Sequence, residues 1–247
     1  MVDGTGPPAL GDRSALRVLS ALGDRSAPRV LPAAVLVTAV LLSAGLLAAV
    51  LPAGCDNAPD RPPDTAGASG GAGWLITVYY TAVQEYHSGA PTRVTGCPRL
   101  DCANGTADLG TYPADFVRAV RDEGTGRTAD GRYLNWSYDT GYWIDSVPRD
   151  TDGNPLRPYV SAAADAEVLA RGTRFAVADC GRQDDGSAPP PDVCARLRAA
   201  RWQVVDAFTP GLGGRRHVDV YIGEETGPGF TGTDAYVTLA VATLRIG

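Results

Sequence analysis

The run WQVVDAFTPGLGGRRHVDVYIGEE, residues 202–225, decides how the rest of the chain is read. Residues 202–207 and 217–222 alternate and are rich in β-formers, so each reads as a strand. The Pro/Gly-rich stretch between them reads as a turn. In the second strand Val218, Val220 and Ile222 share one face, and His217, Asp219 and Tyr221 share the other. A strand is a rigid support, which suits a carboxylate meant for chemistry.

Working outward, residues 74–81, 172–179 and 235–246 also read as strands. Residues 112–124 read as a short helix, with Pro113 in its first turn, Phe116, Val117 and Val120 on one face, and Gly124 as its stop. Asp192 caps a second helix running to residue 201. Strands dominate. The expected fold class is mainly β, a small barrel with inserted short helices and long loops.

Composition agrees with many short strands and turns: 30 glycines and 19 prolines in 247 residues, 44% of them hydrophobic. The net charge is −6, and all 22 basic residues are arginines. A nucleic-acid partner needs a basic footprint. None is visible, so nucleic acid is excluded as a partner.

The N-terminal part, residues 1–55, reads as an export segment. Residues 33–51 carry no charge and follow a stretch with four arginines. At about 1.5 Å per residue they reach ~28 Å as a helix, about a bilayer core. Ala53-Gly54-Cys55 resembles the end of a bacterial lipobox, which makes Cys55 the candidate lipidation site; Pro52 departs from that pattern. An uncleaved signal anchor and simple cleavage remain alternatives. Residues 56–73 are a Gly/Pro/Ser-rich tether, and residues 74–247 are the folded domain. The expected place is extracytoplasmic, attached to the membrane.

Five cysteines are present. With Cys55 set aside, Cys97, Cys102, Cys180 and Cys194 allow three pairings in an oxidising compartment. Cys97–Cys102 and Cys180–Cys194 are favoured because each pair brackets a Gly/Asp-rich loop. A zinc site is the rival, but with two histidines, His87 and His217, the spacings fit no common zinc pattern. No metal and no cofactor are expected.

Residues 161–225 resemble the three-aspartate domain, a double-psi β-barrel found in membrane-bound lytic transglycosylases and wall-remodelling proteins. The resemblance rests on AAAD ending at Asp165, LARGTRFAVAD, WQVVD ending at Asp206, and GLGGRRHVDVYIGEE containing Asp219. Weaker echoes are Thr77-Val-Tyr-Tyr-Thr81 and Glu123-Gly-Thr-Gly-Arg127. The turn between Asp206 and Asp219 is two residues longer than the family's, and the family's large second, sugar-binding domain is missing.

The resemblance implies a peptidoglycan-acting protein with Asp219 as general acid and base, Asp206 as its partner and Asp165 in a structural role. Tyr221, Trp136, Trp143 and Tyr80 are candidate sugar contacts, since aromatic faces stack on the C–H faces of sugars. Ordinary strand packing explains the aromatic run 133–143 as well. The rival to an enzyme is a non-catalytic glycan-binding or wall-loosening module.

Overall fold

The computed structural model describes residues 70–247. The apolar segment 33–51, Cys55 and tether residues 56–69 lie outside the described residues.

In chain order the elements are β1 (Gly71–Val83), β2 (Pro91–Gly96), β3 (Ala107–Pro113), α1 (Ala114–Glu123), β4 (Thr125–Arg127), β5 (Tyr133–Ser137) and β6 (Gly141–Asp145). They continue with β7 (Ser161–Ala163), β8 (Arg174–Asp179), β9 (Arg182–Gln183), α2 (Pro191–Ala199), β10 (Trp202–Asp206), β11 (His217–Glu224) and β12 (Thr238–Ile246). Six strands close on themselves in the order β1-β11-β7-β10-β8-β12, with β12 pairing back to β1. The β1/β11 and β7/β10 pairs are parallel and the other four antiparallel. The result is a closed barrel of mixed strand direction, the arrangement expected of a double-psi barrel.

Two-residue alternation fills the barrel. Trp74, Ile76 and Val78 from β1, Trp202 and Val204 from β10, Val218 and Val220 from β11, and Leu239 and, past a break in the alternation at Val241, Leu244 from β12 all point inward. The Trp202 indole is satisfied by donating to the Leu197 carbonyl at 3.1 Å, which ties α2 to β10.

The segment between β1 and β7 builds a second layer with its own core, including Tyr80, Ala82, Phe116, Val120, Leu134 and Ile144. β1 serves both layers. From Val78 to Val83 both of its faces are buried, and its far end pairs with β4 through Ala82 and Gly126. A Cβ on Gly126 would collide with Val120 and Phe116, so only glycine lets α1 lie this close to β4. α1 ends at Gly124, whose φ of 86° is left-handed.

Both expected helices are present. The second stops at Ala199, because Ala200 turns extended to enter β10. The disulfides are Cys97–Cys102 and Cys180–Cys194, as the loop argument expected. β1 begins at Gly71, three residues before the expected start, because Gly71 and Ala72 already pair with β12. The aromatic run 133–143 forms the β5–β6 hairpin.

Candidate active site

Strand register sets out the site. Thr77 on β1 pairs with Asp219 on β11, Asp219 pairs with Ala163 on β7, and Ala163 pairs with Asp206 on β10. Residues paired across neighbouring strands project from the same face. Val218 and Val220 face the core, so Asp219 faces outward. A register shift between Val204 and Asp206 takes Asp206 off the inward side shared by Trp202 and Val204 and brings it level with Ala163, so the four residues form one row across the barrel wall. Asp206 and Asp219 stand two strand spacings apart, ~9–10 Å between Cα atoms. The side chain between them is only a methyl, and Ala163 is buried.

Tyr79 engages Asp206. Its hydroxyl donates to Asp206 Oδ2 at 3.4 Å. Burial, then the charges of Asp206 and Asp219, push its phenol well above the ordinary tyrosine range. Tyr79 therefore stays protonated at neutral pH and keeps its donor on Asp206.

Asp206 is held from several sides. Its Oδ1 accepts from the Thr151 backbone N–H at 3.0 Å, the Thr151 hydroxyl at 2.9 Å and the Ala207 N–H at 2.9 Å. Burial raises its pKa, while the Thr151 and Ala207 donors pull the other way. Arg171 Nη2 donates to Thr151 Oγ1 at 2.7 Å, so a guanidinium reaches Asp206 through one hydroxyl. Arg171 also pairs with Asp152 at 3.0 Å and lies 3.9 Å from the buried Asp150. The loop after β6 thereby forms one wall of the site.

Asp219 is half-buried, with Oδ1 out of contact with solvent. Its neighbour His217 is fixed by Thr77 Oγ1 at 3.0 Å and by the Gly213 carbonyl at 3.4 Å.

Asp165 sits beneath the turn that leads into β11. Its Oδ2 accepts the Gly214 N–H at 2.7 Å, and a Cβ at Gly213 would overlap its carboxylate. This contact fixes the approach to Asp219. Asp165→Ala should lower unfolding free energy by about 1–2 kcal/mol, with turnover falling much less. An unchanged urea midpoint would show that the turn does not need this carboxylate.

The aromatic candidates fall elsewhere. Trp143 is 0% exposed, Tyr80 3% and Tyr221 1%. A ring buried to this degree has no face left for a sugar, so these three are packing residues. The Tyr221 hydroxyl is 2.6 Å from Thr81 Oγ1, and burial pushes its pKa up to about 12. Trp136 is half-buried against the second core, with the Arg121 guanidinium 5.8 Å over its ring. Sequence reading missed Tyr79, Thr151 and Arg171. Strict alternation from the inward-facing Val78 was the available signal for Tyr79; Thr151 and Arg171 had none.

No family model matches the chain, and no curated protein matches it. Among solved structures, the chain is similar to a membrane-bound lytic murein transglycosylase from Agrobacterium tumefaciens, at 11% identity and a TM-score of 0.43, covering 70% of this chain and 73% of that one. It is also similar to MltA from Escherichia coli, a lytic transglycosylase, at 12% identity and a TM-score of 0.41, covering 71% and 72%. A structure of E. coli MltA with bound chitohexaose matches at 13% identity and a TM-score of 0.43, covering 70% and 71%.

Proposed function

We propose that this protein acts on cell-wall glycan and cleaves the bond between N-acetylmuramic acid and N-acetylglucosamine by lytic transglycosylation. The observation that carries the reading is the cross-strand row itself: Asp219 and Asp206 flank the methyl of Ala163 on one outward face, with the Tyr79 hydroxyl donating to Asp206.

Protonated Asp219 gives its proton to the glycosidic oxygen as the C1–O bond breaks. The muramoyl C6 hydroxyl then bonds to C1 and returns its proton to Asp219. The product is a 1,6-anhydro ring, and Asp219 ends as it began. Neither water nor a carboxylate nucleophile is consumed, unlike the usual two-carboxylate glycosidase. Negative charge on Asp206 favours keeping the proton on Asp219. Thr151, the Ala207 N–H and Tyr79 fix the acceptor geometry of Asp206, and Asp165 fixes the turn before Asp219.

The domain works outside the cytoplasmic membrane, where its two disulfides persist. In this reading Cys55 or the segment 33–51 attaches it, and the tether lets it reach the wall.

Incubation with purified sacculi tests the proposal. Release of anhydro-muropeptides, seen by mass spectrometry, is expected. Binding to sacculi without any product would make the domain a non-catalytic wall-binding module instead.

A further inference from the structure

The chain has four phenylalanines. Three are core residues: Phe116 is 0% exposed, Phe175 3% and Phe230 5%. Phe208 is the exception. It is half-buried and belongs to none of the three hydrophobic clusters among the described residues. It lies two residues past Asp206, and its ring packs on the imidazole of His217 with centroids 4.5 Å apart and planes at 33°. His217 in turn lies two residues before Asp219 on the same face of β11.

The imidazole cannot swing away, because its two nitrogens are engaged by Thr77 Oγ1 and the Gly213 carbonyl. Both nitrogens are thus engaged, and the ring packs against Phe208. An apolar ring kept out of every core, and braced by a fixed second ring beside a carboxylate pair, has the makings of a flat apolar platform. Such platforms suit the C–H face of a pyranose, which stacks on aromatic rings while its hydroxyls remain free to hydrogen-bond.

We propose that Phe208, braced by His217, is a saccharide-stacking subsite at the His217 end of the carboxylate row. It holds one hexopyranose of a β-linked amino-sugar chain so that the neighbouring linkage lies over Asp219. This rests on the reading of the row as a glycan site.

The test uses the full chain in detergent, carrying Asp219→Asn so that ligand is not consumed, with chitohexaose as the probe and calorimetry as the readout. Adding Phe208→Ala should weaken binding about tenfold. Phe208→Leu, which keeps apolar bulk but has no ring face, should weaken it nearly as much. Phe208→Trp should bind at least as well as the parent. Thermal midpoints taken alongside separate lost binding from lost fold. If Leu binds as tightly as Phe in a folded protein, the ring platform is overturned while the glycan reading stands. If the parent itself binds no chitohexaose, the glycan reading fails and the subsite with it.

Discussion

Asp219→Asn should abolish product release from sacculi, lowering the rate ~10²–10⁴-fold, while glycan binding and the folding midpoint stay close to the parent's. The amide matches the carboxylate in size and sits in the same place in the row, between Thr77 and Ala163. What it lacks is a transferable proton. If Asp219 is the acid, the loss appears in kcat, because protonation of the leaving oxygen belongs to the transition state and not to binding. A KM left near its original value completes the signature. Cleavage within about threefold of the parent would remove Asp219 from the chemistry and leave the domain a binding module. Substitution at Asp165 makes an internal contrast. Its carboxylate is spent on the Gly214 amide, so its removal is expected to act on stability first.

The barrel was legible because its signals are local. Alternation in residues 202–225 defined two strands and set Asp219 opposite Val218 and Val220 before any coordinates, and Gly124 marked the end of a helix. The site was legible in part. Asp206 and Asp219 were recognisable from their motifs, but what binds Asp206 was not. Thr151 reaches it across a separation of 55 residues, from a loop that no hydrophobic period marks. That contact follows from how the second layer docks beside β10, which is a property of barrel closure and not of any segment. Tyr79 was missed by a single position. In an alternating strand the neighbour of a groove residue belongs to the opposite side, and Tyr80 accordingly went to the second core. The aromatic run 133–143 misled for a related reason. Its density reflects a hairpin packed on the inserted layer, where Leu134, Trp143 and Ile144 are core. Phe208 carried no periodic signal and stood out only once the other phenylalanines were seen to be buried.

Asp206→Asn should separate activity from stability. Burial raises the pKa of Asp206 in the folded chain. The folded state therefore holds that proton more tightly than the unfolded state, whose aspartates titrate near ~3.9. The stability this gives is fully present below the unfolded value and is lost as pH rises through the raised folded value. At neutral pH the charged carboxylate is thus a burden on the fold, kept tolerable by Thr151, Ala207 and Tyr79. An asparagine at 206 keeps Oδ1 as acceptor for the two Thr151 donors and the Ala207 N–H, and its amide can donate to the Tyr79 oxygen. It removes the charge. The variant is expected to melt at or above the parent's midpoint at pH 7, with any advantage shrinking as pH falls toward 4. Turnover should meanwhile drop ~10²-fold, because the charge that favours the protonated form of Asp219 is gone. A variant that is less stable at pH 7, with the deficit closing on acidification, would show that the Asp206 charge supports the fold. Unchanged turnover would show that Asp219 works alone.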